Sequence, residues 1–198
     1  MKRRYVTGLL VFTLLPGAAI AQTTDPAVVI RTAVDEAFAI LRDPALKKPE
    51  KRGERLARLR LIADRVFDWT AMAQSSLGPA YRSITEAQRA EFLVLFKDLI
   101  AKDYRDDLDR FMGDEKVQIK GVEARDELRL VKTVLVTHSR DQVPLDYLMH
   151  EQVGVWRAVD FSVEGVSLVN HYRKSFARFL ASHGFDELLA RLRSRASK

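Results

Sequence analysis

After Gly113 the apolar residues of this 198-residue chain stop recurring every three or four positions and begin to alternate. The first period belongs to a helix with one buried side, the second to a strand with one buried face. Before the change, Phe92, Phe96, Leu99, Ile100, Tyr104, Leu108 and Phe111 share a stripe, with Lys97, Lys102, Asp106 and Asp109 off it. That pattern predicts one long helix from Glu86 to Met112, opened by a capping box of Thr85 with Gln88 or of Ser83 with Glu86. After the change, Val117 and Ile119 alternate with polar residues, and Leu128, Leu130, Val134 and Val136 alternate with Arg129, Thr133 and Thr137. Val143, Leu145, Tyr147 and Met149 form the next row, and Val155, Val159, Phe161 and Val163 the last, with Arg157 in the same alternation. Four antiparallel strands with one apolar face are expected.

Helical patterns flank this block. Asp25-Pro26 reads as a cap with proline at the first helical position, ahead of Val29, Ile30, Ala33, Val34, Ala37, Ile40 and Leu41. A second helix carries Leu56, Leu59 and Ile62, and a short third runs from an Asp68 cap to a Gly78 stop. Beyond the strands, a Ser167-capped helix carries Leu168, Tyr172, Phe176, Phe179 and Leu180, and a final one carries Phe185, Leu188, Leu189 and Leu192. Strands in one block with helices on both sides argue for an α+β fold. The Glu86–Met112 and Leu168–Leu180 helices are the expected cover of the sheet.

The N-terminus predicts export. Lys2-Arg3-Arg4, the apolar run Val6 to Leu15, Pro16-Gly17 and Ala19-Ile20-Ala21 have the order of a secretory signal peptide. An uncleaved anchor fits less well, because the run is only about half of the ~20 residues that span a bilayer. Residues 1–21 are therefore expected to be removed, near Ala21, on the way to the periplasm. Residues 22–198 would form one domain: a helical part 22–112, a sheet 115–165 and C-terminal helices 167–196. No cysteine is present, so disulfides and thiol chemistry are excluded. The formal charge of +6 loses three cations with the leader, and the remaining charges are intermixed, which does not suit nucleic acid. Only the end is one-signed, with Arg191, Arg193, Arg195 and Lys198. It reads as a solvated helix face or as a weak attraction to anionic membranes.

No catalytic pattern emerges. His138, His150, His171 and His183 have no metal-ligand spacing, and there is no nucleophile elbow, phosphate-cradling glycine loop or dinucleotide fingerprint. Asp160 sits between Val159 and Phe161 in the last strand. It is either a general base in a cone-shaped cavity or one half of a structural pair with Arg173. The large apolar residues form either a packed core or the wall of a cavity, and periodicity does not separate the two.

The segments Phe67-Asp68, Met72-Ala73, Leu77-Gly78 and Tyr81, then Gln88, Phe92, Phe96 and Tyr104, resemble the MlaC, or toluene-tolerance, family. So do Trp156 to Asp160, Glu164 to Val169, His171-Tyr172-Arg173, Phe176, Gly184 and Leu188 to Leu192. Ala158 and Tyr81 depart from it, standing where a larger apolar residue and Trp are usual. The resemblance implies a non-enzymatic periplasmic phospholipid carrier that needs no cofactor beyond its cargo. It implies a curved, nuclear-transport-factor-like sheet with helices around an apolar cavity. Its partners would be an inner-membrane ABC transporter complex with a periplasmic lipid-binding subunit, and an outer-membrane lipoprotein–porin complex. A monomer maintaining outer-membrane lipid asymmetry is the expectation. The wall would comprise Phe92, Phe96, Tyr104, Leu108, Val134, Val136, Leu145, Tyr147, Met149, Val159, Phe161, Val163, Tyr172 and Phe176. Arg157 would either snorkel to the rim near a phosphate or lie beyond the cavity edge. Binding would depend chiefly on the tails. The alternatives are a carrier of another apolar lipid, such as a hopanoid, and a small-molecule enzyme using Asp160.

Overall fold

The computed structural model describes residues 25–196. The expected leader and its cleavage site lie outside them. Helix α1 spans Pro26–Arg42, with the Asp25 carboxylate accepting from the Ala27 N–H. A 3-10 turn at Pro49–Lys51 leads into α2, Arg52–Val66. Helix α3, Trp69–Leu77, is capped by the Asp68 carboxylate and stops at Gly78, whose φ of 57° favours glycine. A single turn, α4 (Ala80–Ser83), precedes α5, Glu86–Asp103. Of the two capping boxes the sequence offers, Thr85 with Gln88 forms, each accepting from the other's backbone N–H.

The expected helix to Met112 breaks at Tyr104 (φ −99°, ψ 1°) and resumes as α6, Arg105–Asp109. The break suits the charges. Asp106 and Asp107 would sit near the negative end of one continuous helix, whereas they occupy the first turn of a new one.

The sheet runs β1 (Lys116–Arg125), β2 (Leu128–Val136), β3 (Gln142–Gln152), β4 (Val155–Val163) and β5 (Val166–Ser167), antiparallel and in sequence order. The fifth strand, beyond the four expected, is a two-residue pairing on the edge of β4. It delivers the chain to α7, Leu168–Leu180, where Ser167 Oγ accepts from the Asn170 N–H. Helix α8, Phe185–Ala196, ends the described chain. The α+β class and the unclosed antiparallel sheet agree with the sequence reading.

Two strand phases do not agree with it. Residues opposite one another in neighbouring strands point to the same face. Val131 and Thr133 stand opposite Tyr147 and Leu145, and Val131 and Met149 are fully buried against α1 and α2. Val134 and Val136 therefore point to the other face. Strand β2 is apolar on both faces, and the row with more aliphatics, Leu128, Leu130, Val134 and Val136, is the outer one. Thr133 fits inside because its hydroxyl donates to the Leu145 carbonyl.

In β4 the register shifts between Leu148 and Met149, which pair with Asp160 and Ala158 and leave Val159 as an extra residue. A bulge of this kind reverses the alternation. Trp156 and Ala158, both buried, join Phe161 and Val163 on the helix-facing side, while Val155 and Arg157 lie outside and exposed.

Two apolar cores result. One joins α3, α5, α7 and α8 through Met72, Phe92, Phe96, Tyr172, Phe176 and Leu189. The other sets Ile30, Ile62 and Val66 of α1 and α2 against Val131, Met149, Trp156 and Ala158 of the sheet. Thus α1 and α2, rather than α5, cover the sheet, and α7 reaches it at β4 and β5. Phe67 packs against both cores.

Candidate functional site

The two cores meet around Phe67 without fusing, and an apolar cavity of about 770 Å³ lies between them. That volume falls in the upper part of the roughly 300–1,000 Å³ range of small-molecule sites. Helix α1 contributes Ile30, Ala33, Val34 and Ala37, and α2 contributes Leu56, Leu59, Ile62, Ala63 and Val66. Ile100, Ala101, Tyr104 and Leu108 close it from α5 and α6, with Tyr147 and Phe161 from the sheet. Small residues make the space: Ala33, Ala37, Gly53, Ala57, Ala63 and Ala101 all face it.

Aromatic rings form one wall. Tyr147 and Phe161 lie with ring centroids 5.0 Å apart, and Phe67 is 6.4 Å from each. Tyr104 meets Phe161 at 6.3 Å, edge to face, and Trp69 meets Phe67 at 5.1 Å. Rings at these separations gain contact beyond simple area burial, which makes the wall stiff. Burial pushes the Tyr147 phenol up to about 12, so it stays neutral across the physiological range.

Exposed lining residues mark the opening. Gly53, Ala57 and Arg60 of α2 and Ala101 of α5 are solvent-exposed, which places the mouth between these helices. Ion pairs span it. Arg60 meets Asp98 at 2.5 Å and Lys97 meets Asp64 at 2.6 Å. Arg52 and Arg55 both hold Asp109 of α6, at 2.5 and 2.6 Å.

Of the residues singled out in the sequence, Tyr104, Leu108, Tyr147 and Phe161 line this cavity. Phe92, Phe96, Tyr172 and Phe176 are buried among one another in the helical core and do not reach it. Met149 is buried in the sheet core. Leu145 and Val163 pair on the helix-facing side away from the cavity, and Val159 sits in the bulge. Val134, Val136 and Arg157 point the other way, as the register requires.

The Asp160–Arg173 pair does not form. Asp160 accepts from the backbone N–H groups of Phe161 and Val169 and from Ser167 Oγ, at 2.8, 3.1 and 2.5 Å. It anchors the start of α7 on the face away from the cavity. Arg173 instead donates from Nε to the Ser75 carbonyl at 2.8 Å, joining α7 to α3. Asp160 thus sits beside the α7 N-terminus, where unpaired N–H groups and the helix dipole favour a negative charge. Among the described residues no three His, Asp or Glu side chains come together as a metal site.

Residues 31–194 match the family model described as MlaC protein. The chain belongs to the MlaC family. Within it, the intermembrane phospholipid transport system binding protein MlaC of Haemophilus influenzae is 23% identical over 206 residues, covering 98% of this chain and 92% of that one. A phospholipid-binding protein from Ralstonia solanacearum, solved in complex with a phospholipid, is similar in structure with a TM-score of 0.75. It is 25% identical, and the match covers 87% of this chain and 97% of that one. The MlaC assignment agrees with the family resemblance read from the sequence.

The wall contributed by α1 and α2 does not show in the pattern of large apolar residues. Its signal was present as small residues at helical spacing, Ala33 with Ala37 and Gly53 with Ala57, on the sides that meet the cavity.

Proposed function

We propose that this chain carries a glycerophospholipid through the periplasm, with the acyl chains in the cavity between α1–α2 and α5–α6. The observation that carries the reading is the cavity itself: apolar, aromatic-walled, open at one side and set between two complete cores. The transport and phospholipid-binding relatives support it.

The physical need is large. Two acyl chains hold together roughly 30 methylenes, each costing about 0.8 kcal/mol in water, so free transit would cost about 20 kcal/mol or more. A carrier removes that barrier with a dry compartment and no bond chemistry. In this reading the lipid passes between an outer-membrane lipoprotein–porin complex and an inner-membrane ABC transporter with its periplasmic lipid-binding subunit. The exchange would maintain outer-membrane lipid asymmetry, and the carrier works as an exported monomer after cleavage near Ala21. Enzymatic use of Asp160 is disfavoured, because its carboxylate is engaged by three donors outside the cavity.

Native mass spectrometry of protein taken from the periplasm, with identification of the released lipid, tests the proposal. A folded protein that carries a phospholipid mass is expected. A folded protein that carries none and does not take up added phospholipid overturns it, and a hopanoid in its place would favour the other carrier reading.

A further inference from the structure

Among the described residues, four cationic side chains line the cavity: Arg60, Lys97, Lys102 and Arg105. Two are neutralised by carboxylates, Arg60 by Asp98 and Lys97 by Asp64. The other two are not. Lys102 donates its ammonium to the Arg195 carbonyl at 2.5 Å, a neutral acceptor. The Arg105 side chain, half-buried, has no hydrogen bond, ion pair or ring contact with any described residue. Lys102 and Arg105 stand three residues apart across the junction of α5 and α6.

The nearby carboxylates are engaged or point elsewhere. Asp103 accepts from Tyr172 and Arg195, and Asp109 is held by Arg52 and Arg55. Asp107 lies 3.5 Å from Arg110, and Asp106 is exposed and absent from the lining. A guanidinium drawn partly out of water without a counter-charge is costly, and an anion arriving with the ligand offsets that cost. Its planar donors match two oxygens of a phosphate, and the Lys102 ammonium adds a point charge when it turns from the Arg195 carbonyl toward the ligand.

We propose that Lys102 and Arg105 form a phosphate subsite at the mouth of the cavity, receiving the phosphodiester of a lipid whose tails fill the apolar part. The assignment rests on the carrier reading and sharpens it. Phosphate is common to all glycerophospholipids, so the subsite separates them from neutral lipids without ranking their headgroups. It would select against a hopanoid, which has tail-like bulk and no phosphate.

The test uses delipidated full-length mature protein with phosphatidylethanolamine and with diacylglycerol of identical chains. Wild type is expected to bind the phospholipid at least tenfold more tightly than the diacylglycerol. In Lys102→Gln/Arg105→Gln, shown folded by circular dichroism, this ratio is expected to fall about tenfold, with Arg105→Lys intermediate. A ratio unchanged in the folded double variant overturns the subsite. Inorganic phosphate is titrated separately. Its binding by wild type and loss in the variant, with the lipid ratio unmoved, would assign the site to a free anion and overturn the headgroup assignment. Wild type that binds neither lipid would defeat the carrier reading and the subsite with it.

Discussion

Arg55 and Asp109 form a partly buried ion pair, with Nη2 2.6 Å from Oδ1, that fastens α2 to α6 beside the mouth of the cavity. The Arg55 side chain is 10% exposed and also donates to the Leu46 carbonyl. Arg52 reaches the other carboxylate oxygen from solvent. Asp109 is thus the point through which the loop after α1, helix α2 and helix α6 are held together.

Asp109→Asn should therefore destabilise the fold by about 1–3 kcal/mol, below the full cost of breaking a buried pair because Asp109 keeps some solvent. Urea denaturation at neutral pH measures it; a change within about 0.5 kcal/mol, the range of ordinary surface substitutions, would refute the role.

Acid should have a related effect. The Arg52 hydrogen bond, joined by that of Arg55, holds the Asp109 carboxyl below the usual carboxylate range against the opposing effect of burial. Glu115 is shifted the same way: burial pushes its carboxyl up, but the Met112 and Gly113 N–H groups more than offset this. A carboxyl depressed in the folded state stabilises fully above its unfolded value of about 4 and loses that contribution as pH falls through its folded value. Stability to urea should be flat near neutrality and drop below about pH 4, and the drop should be shallower in Asp109→Asn.

Two arginine substitutions separate the faces of the sheet. Phe161→Arg places a guanidinium in the aromatic wall beside Tyr147, where burying the charge costs several kcal/mol. Val134→Arg is on the opposite face, where Val134 is half-buried and a long side chain can carry its charge to water. Lipid binding should be lost in the first and kept within threefold in the second, measured on protein shown folded by circular dichroism. The reverse order would place the lipid on the other face.

These faces show how far the sequence could be read. The order of elements, the caps at Asp25, Asp68, Thr85 and Ser167, and the α+β class follow from local patterns, because capping and periodicity are local physics. The inside of β2 did not follow, because Val131 and Leu135 compete with Leu130 and Val134, and only contact with α1 and α2 decides between the rows. Nor did the Val159 bulge, since one extra residue is silent in a pattern of alternating valines. Large apolar residues by themselves do not mark the cavity. Those at Phe92, Phe96, Tyr172 and Phe176 pack on one another, and empty space instead follows alanine and glycine.

That last point gives a direct test. Ala37→Phe fills the cavity from α1, with Ala57→Phe doing so from the edge of its mouth. Phospholipid affinity should fall at least tenfold in Ala37→Phe. Its stability should change little, because the added ring enters space rather than displacing packed atoms. Phe92→Ala is the complement. It empties a packed core away from the lipid and should cost about 3–5 kcal/mol, with affinity retained in whatever fraction stays folded. Lipid-binding titrations and urea curves on the same preparations distinguish the two. Undiminished affinity in folded Ala37→Phe would remove α1 from the lipid wall.

The ion pairs across the mouth set a final expectation, concerning rate. Helices α2 and α5 are tied by Arg60–Asp98 and Asp64–Lys97, while the cavity separates the apolar parts between them. A two-tailed lipid leaving by this side must part the helices, so both pairs break before the tails emerge. Each pair is partly exposed and individually worth no more than about 1 kcal/mol, so the ties slow departure without locking the cargo in. Removing both with Asp98→Asn and Asp64→Asn should speed transfer of a fluorescent phospholipid to acceptor vesicles by about three- to thirtyfold, as two such contributions imply. Salt screens exposed pairs and leaves tail burial intact. Raising it should therefore accelerate transfer in wild type and have less effect in the double variant. Stopped-flow measurements with neutral acceptor vesicles keep the vesicle charge from contributing. If the double variant and wild type release lipid at the same rate and respond alike to salt, the lipid leaves by another route.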